Sequence, residues 1–523
     1  MRSRATGRQR DAPGRERKRA NGAARWLVAI HRWLGIVCGA LVVAWFLSGF
    51  VMLWHGMPAL EPGERLERLP VLDLEQARVE PADAAQRANV EAHELRIATL
   101  LSRGRTRPVY RFGSSRGVVT VLADDGSIFR GMGRADAAEV ASRHLGGAAV
   151  DIGSHRRLEE PDQWTLQSRR LLPMHRFELR DETDRVVYVS DRTGEVVLVT
   201  DRSSRRWGWL GPVVHWVYFT PLRRHSALWL QAMIWASAAG VVLTSTGLAW
   251  GIWVLVRRRR LPHAGWLRWH HLAGLLFGLA SVAWVLSGLL SLDPWDWHPG
   301  TAPTGEEHRA VRGGADLDLE AVTLERLRAA RNAMADVEAP RELEVGRFGG
   351  ETFVVVRSPA VDGQRHAAWL AEPTRTPAPL RERDELVAAA RRALPAHQPV
   401  AADRLEHGDA YYYQRPYRGA ARRPLPVLRV RFDDPAATAL YLDPLTGSLL
   451  HREQRLTRLN RWLYHGLHSW DHPALLVRPG LRLGLMLAFL AGGLATATSA
   501  FVPGWRRLRA SILGRRRRGT DGR

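Results

Sequence analysis

A long apolar run with a histidine near one end occurs twice in this chain, and it restricts the fold more than any other feature. The first copy reads HRWLGIVCGALVVAWFLSGFVMLWH over residues 31–55, and the second reads HHLAGLLFGLASVAWVLSGLLSLDPWDWH over 270–298. His31, Gly35, Gly39, Trp45, Ser48 and Gly49 return as His270, Gly274, Gly278, Trp284, Ser287 and Gly288, at a constant offset of 239 residues. Runs of this length reach the roughly 20 residues needed to cross the hydrocarbon of a bilayer. Two further runs bring the expected spans to four, at about 26–54, 227–256, 266–292 and 481–505. Tryptophans stand at most of their ends (Trp26, Trp54, Trp229, Trp253, Trp266, Trp505), where rings favour a membrane–water interface. A histidine at the edge of such a helix is costly without a partner.

The net charge of +23 fits either nucleic acid or a membrane surface. The 21 tryptophans and the four apolar runs decide for membrane lipid and against nucleic acid. The single cysteine, Cys38, lies inside the first span. That excludes an intrachain disulfide framework, a Cys-x-x-Cys-His haem attachment and a cysteine-ligated iron–sulfur cluster. Nine Arg/Lys precede the first span in residues 1–25, and the apolar run is too long for a cleavable signal. Arginines also flank the loop 257–265 and the tail 506–523. With four spans these three basic segments share one side, expected to be cytoplasmic. Both termini are then inside, and the long segments 55–226 and 293–480 lie outside.

Those outer segments match each other at a second offset, 253. It relates Leu172-Pro173 to Leu425-Pro426, Thr193-Gly194 to Thr446-Gly447, Trp209-Leu210 to Trp462-Leu463, and His215 to His468. The chain therefore reads as two repeats of span, outer domain, span. Each outer domain reads as α+β. Residues 107–112 and 117–122 alternate like a hairpin closing on Asp124-Asp125-Gly126, and 186–189, Asp191-Arg192-Thr193-Gly194 and 195–199 read as strand, turn, strand. Residues 427–432, 439–442 and 449–451 repeat that pattern, while 135–145 and 381–394 have helical periodicity.

With these pieces the chain resembles the PepSY-associated transmembrane proteins, the bacterial iron-regulated membrane proteins that include ferric-siderophore reductases. The resemblance is carried by His-Arg-Trp-Leu-Gly at His31, by Ser48-Gly49, by the strand–turn pieces ending in Thr-Gly, and by the Trp-Leu…His segments before spans two and four. It implies a polytopic α-helical protein of the Gram-negative inner membrane with two α+β PepSY-like periplasmic domains. For some members it implies b-type haem and reduction of iron chelates.

Haem iron in a helical bundle is held by two imidazoles at one depth on facing helices. His31 and His270 start spans one and three on the same side, with His271 as a fallback ligand. His55 lies about 36 Å from His31 along the helix, on the other side of the bilayer. His215 and His468 form the candidate outer pair, and His55 and His298 are alternative outer ligands. Two haem b groups are expected. Gly35, Gly39, Gly274 and Gly278 either pack helices closely or leave room for a flat macrocycle. The other outer histidines, such as His175 and His407, read as solvated surface. Arg169, Arg170, Tyr411–Tyr413, Arg415 and Arg418 are candidates to receive an anionic ferric chelate or siderophore.

No Gly-x-Gly-x-x-Gly follows a strand, and there is no His-Glu-x-x-His or Gly-x-Ser-x-Gly. Electrons must then come from a partner: a quinol, a reduced flavin or a reductase. The expected function is ferric-chelate reduction. The rivals are a membrane-anchored binding or regulatory module and a siderophore transport accessory protein. The four spans carry no ionisable residue deep inside, which argues against a permeation path.

Overall fold

The computed structural model describes residues 12–520 except 103, 115–116, 148–149, 259–263, 315, 360–365, 375–379 and 416–422. The chain forms two compact units. The helical unit comprises Met1–His55, Trp209–Trp297 and Asn460–Arg523; the sheet unit comprises Gly56–Gly208 and His298–Leu459.

Four long helices make up most of the helical unit: α1 (Ala12–Met52), α2 (Ser226–Arg258), α3 (Trp266–Leu290) and α4 (Pro479–Thr520). Each contains a stretch long and apolar enough to cross a membrane, over Ala24–Met52, Ser226–Arg257, Trp266–Leu290 and Pro479–Arg506. These match the expected spans to within a few residues. α1 and α4 run on as helix into the basic tails, because arginine, leucine and alanine are good helix formers. α1 packs against α2 and α4, and so does α3, which leaves α1 and α3 facing each other across the bundle. Val42 and Phe46 of α1, Leu243 of α2, Trp284 of α3 and Leu490 of α4 meet in its centre. Val37, Trp235, Leu276 and Leu279 are exposed apolar side chains on the outside, as a lipid-facing surface requires. Glycines let the helices close: a Cβ at Gly492 would lie 2.3 Å from the Phe277 ring, and one at Gly493 2.2 Å from Phe46.

In the sheet unit, the segment before α2 supplies β1 (Glu94–Ser102), β2 (Arg105–Ser114), β3 (Gly117–Leu122), β4 (Ile152–Leu158), β5 (Met174–Leu179), β6 (Val186–Ser190) and β7 (Val196–Thr200). The segment after α3 supplies β8 (Glu342–Phe348), β9 (Glu351–Arg357), β10 (His366–Trp369), β11 (Pro399–Leu405), β12 (Val427–Phe432), β13 (Ala439–Leu442) and β14 (Leu449–Glu453). Two antiparallel four-stranded sheets, β4-β5-β6-β7 and β11-β12-β13-β14, are each built from one segment. The third sheet is shared: its order is β10-β9-β8-β1-β2-β3, and β1 pairs with β8 through Leu95–Val345, Arg96–Glu344 and Ile97–Leu343. The two outer segments, expected as one domain each, thus merge into a single unit. One core contains Leu95, Ile97 and Tyr110 from the first segment with Leu327, Leu343 and Val354 from the second.

The helices expected at 135–145 and 381–394 are Arg134–His144 and Arg383–Ala393. Gly194 and Gly447 take φ of 66° and 70° in the turns before β7 and β14, a conformation glycine adopts without a Cβ clash. One local expectation changes. β2 pairs with β3 down to Ser114–Gly117, so Asp124-Asp125-Gly126 does not close that hairpin. It follows β3 and turns the chain back, with Leu122 N–H donating to the Ser127 carbonyl and Gly126 at φ 77°.

A buried histidine makes this unit acid-sensitive. His144, at the end of its helix, is 9% exposed. Burial, aided by Arg68, pushes its pKa down to about 4 from 6.5. Below pH 6.5 the unfolded chain takes up a proton that the folded chain refuses until pH 4. Its contribution is therefore complete above pH 6.5 and is lost as pH falls from 6.5 to 4, by about 3 kcal/mol. A His144→Phe variant should lose that part of the slope in an unfolding-versus-pH series. An unchanged slope would assign the acid sensitivity elsewhere.

Candidate metal-ligating histidine pairs

His31 projects from α1 toward α2, where its Nδ1 lies 3.0 Å from the Leu243 carbonyl oxygen. His270 projects from α3 toward α4, with Nδ1 2.9 Å from the Thr496 carbonyl oxygen. A carbonyl oxygen only accepts, so each ring donates from Nδ1 and carries its lone pair on Nε2. Gly247 makes the approach of His31 possible, since a Cβ there would stand 2.4 Å from Cε1 of the ring. The His31 and His270 centroids are 6.0 Å apart with planes inclined at 33°.

The second pair is held by different groups to the same end. His215 follows a π-helical turn at Trp209–Val213, and His468 follows one at Arg461–Gly466. Ser48 Oγ donates to the Ala44 carbonyl at 2.7 Å and sits 3.0 Å from His215 Nδ1. Ser287 Oγ donates to the Trp284 carbonyl at 2.9 Å and sits 3.0 Å from His468 Nδ1. His468 Nδ1 also lies 3.3 Å from the Trp284 carbonyl oxygen, which only accepts, so that ring donates from Nδ1; a serine that donates to its helix offers His215 a lone pair in the same way. Trp45 Nε1 donates to the His215 carbonyl at 3.1 Å, and Trp284 Nε1 to the His468 carbonyl at 3.0 Å. Trp and Ser three residues apart share one helix face, and together they hold the histidine by backbone and ring. The His215 and His468 centroids are 6.1 Å apart with planes at 75°. Two residues past each histidine the backbone turns through positive φ, 51° at Val217 and 55° at Trp470. For a β-branched valine this is a strained conformation that the fold must enforce.

The donor set indicates what it can hold. A metal–imidazole bond of about 2 Å on each side, plus the roughly 1 Å from nitrogen to ring centre, puts two axial imidazoles about 6 Å apart. Both pairs have that separation. Two imidazoles are too few for a bare zinc ion, which takes four ligands, and among the described residues no group of three or more His, Cys, Asp or Glu is placed to hold an ion. A macrocycle that brings its own four nitrogens needs just two. On the helices that carry His31 and His270, a Cβ at Gly35, Gly39 or Gly274 would find its nearest atom at 3.7, 3.9 and 3.8 Å. These three positions are in ordinary van der Waals contact with the neighbouring helices. Gly278 is closer packed, 3.1 Å from Leu248.

The family model described as PepSY-associated TM region matches residues 28–345. The chain belongs to this family. The match takes in the first three spans of this PepSY-associated protein, with His31, His215 and His270, and ends before His468 and α4. No curated protein matches the chain.

The other histidines considered from the sequence are placed as follows. The ring opposite His31 is that of His270, while His271 is buried beside it. His55 is exposed at the end of the first span, and His298 Nδ1 lies 2.9 Å from the Pro299 carbonyl. At the second level it is His215 and His468 that meet. His175, expected on the surface, is 3% exposed: its Nε2 faces the Met132 carbonyl at 3.1 Å and its Nδ1 faces His155 Nε2 at 3.0 Å. His407 is exposed, as expected. Among the proposed chelate receivers, Arg169 and Arg170 are exposed, but Tyr412 is fully buried and stacks on Tyr441 at 5.0 Å. Tyr411, Tyr413 and Arg415 are half-buried, and Arg418 lies outside the described residues. Sequence reasoning missed the serines. Ser48 and Ser287 were visible as a repeated Ser-Gly pair, but their role appears only once each is seen against a histidine.

Proposed function

We propose that this protein is an inner-membrane electron carrier that holds two b-type haems, one between His31 and His270 and one between His215 and His468, and reduces a periplasmic ferric chelate. The observation that carries the reading is the matched spacing and anchoring: each ring has Nδ1 within 3.0 Å of an oxygen of the bundle, and the ring centres of the two pairs are 6.0 and 6.1 Å apart. The hydrogen-bond contacts of His31 with Leu243 and of His215 with Ser48 recur as His270 with Thr496 and His468 with Ser287, at offsets of 239 and 253 residues, which supports two repeats of span, outer segment, span. The arginine-rich flanks of the spans support a reading with both termini cytoplasmic and the sheet unit periplasmic.

When bound, each haem supplies a one-electron centre whose iron the protein tunes through its axial ligands and their hydrogen bonds. The chain's part is to fix those ligands. The carbonyls of Leu243 and Thr496 and the hydroxyls of Ser48 and Ser287 orient the imidazoles and raise their basicity. Ser48 stands 17 residues beyond His31 on α1, so the two levels are about 25 Å apart along the bundle. The interior between them is apolar and includes Val42, Phe46 and Leu490, which keeps water away from both levels. Electrons enter from a partner on the cytoplasmic side or from a quinol. Iron(III) is bound tightly by hard oxygen donors and iron(II) far less so, and one-electron reduction therefore loosens the chelate.

Purification from haem-replete cells tests this. The expected protein is coloured, carries two haems per chain, and shows a low-spin spectrum that dithionite reduces and a ferric chelate reoxidises. A folded, colourless protein would sink the electron-carrier reading and leave the binding module.

A further inference from the structure

A cleft of about 260 Å³ opens in the sheet unit beside β3, away from every histidine proposed as a ligand. Arg130, Arg157 and Arg192 line it, with Phe129, Val118 and Pro173 as apolar wall. Its single carboxylate, Asp191, is already engaged: Oδ1 accepts from Met132 N–H at 2.6 Å, and Oδ2 accepts from Arg157 Nη2 at 2.6 Å. Arg157 also pairs with Glu159. The other two arginines have no ion pair among the described residues. Arg192 is oriented by a hydrogen bond from Nε to the Leu172 carbonyl, and both Arg192 and Arg130 are exposed on the rim. The cleft therefore holds two uncompensated guanidiniums against an apolar wall.

The turn does not require an arginine. Thr193-Gly194 and Thr446-Gly447 occupy corresponding turns, and the residue ahead of Thr446 is Leu445, which packs into the core with Phe348 and Trp369. Arg192 at the same place lines open space instead. We infer that this cleft binds a small planar organic dianion, a single ring bearing two carboxylate-type groups. Guanidinium forks grip such oxygens bidentately, and Phe129 with Pro173 covers the ring. The cleft is about 260 Å³ and open to solvent, below the roughly 300–1,000 Å³ of pockets that enclose drug-sized ligands, which favours a small ligand. The site stands whether or not the chain carries haem.

The test is calorimetric titration of the full-length protein, in nanodiscs of zwitterionic lipid, with phthalate. Saturable binding that weakens with added salt is expected. Removing one charge-assisted contact should weaken it about tenfold in Arg192→Leu, which restores the side chain found at the matching turn. Arg130→Gln, an exposed change that should leave folding intact, should act in the same direction and decides the matter if Arg192→Leu misfolds. Arg169→Ala with Arg170→Ala should change nothing. No saturable phthalate binding, equal affinity in Arg130→Gln, or equal affinity for inorganic phosphate would each overturn the assignment.

Discussion

Replacing His31 or His270 with alanine is expected to remove one haem of two and leave the other with an unaltered spectrum. Replacing His215 or His468 should remove the other. Combining His31→Ala with His215→Ala should give a colourless chain. The basis is that each pair is held by its own neighbours. His31 and His270 lean on carbonyls of α2 and α4, and His215 and His468 on serines of α1 and α3. None of these four hydrogen-bond partners is shared, and the levels stand about 25 Å apart, so loss at one should not propagate. Haem per chain from a pyridine haemochrome assay, with circular dichroism as a folding check, reads the result. Loss of both haems in every single variant, or of neither, would contradict two independent stations. Ser48→Ala and Ser287→Ala should keep the haem, because the ligand remains, but shift the midpoint potential of the station they serve.

The second large effect is expected in the sheet unit. Glu342, the first residue of β8, is 1% exposed and receives Arg65 Nη2 at 2.6 Å. Arg111 of β2 stands 3.8 Å from it and pairs with Glu195 ahead of β7. Burial pushes the Glu195 carboxyl up, but the Arg111 and Arg65 guanidiniums outweigh it and hold it below the usual range. Truncating Glu342 would leave two guanidiniums, Arg65 and Arg111, sharing the single carboxylate of Glu195. Glu342→Ala should therefore destabilise the β1–β8 seam by about 3 kcal/mol. Hydrogen exchange of the β1 and β8 amides in the detergent-solubilised protein measures this locally. Acceleration worth less than about 1 kcal/mol would show the cluster to be no more than a surface-type pairing.

Local pattern was enough for much of the molecule. Span ends were legible because each is a run of apolar residues bracketed by tryptophan and arginine. The strand–turn–strand pieces around Gly194 and Gly447 were legible because alternation and a glycine turn are encoded within a dozen residues. The β1–β8 pairing was not, since it joins residues 95–97 to 343–345 and no local period reports a partner that far away. Tyr412 and His175 were misjudged for a related reason. A polar tip on an aromatic ring reads as surface until a stacked Tyr441, or the Met132 carbonyl, is found to satisfy it.

By itself the sequence determined that the chain is membrane-spanning, that it has four spans, and which histidines lie at matching depth, because chain length, hydropathy and helix rise are properties of consecutive residues. Tertiary structure alone decided that α1 faces α3 across the bundle, that His270 rather than His271 turns toward His31, and that serines hold the second pair. Those depend on how each helix is rotated about its axis. That rotation is set by packing against neighbours distant in the chain, through contacts such as Phe46 at Gly493 and the His31 ring at Gly247.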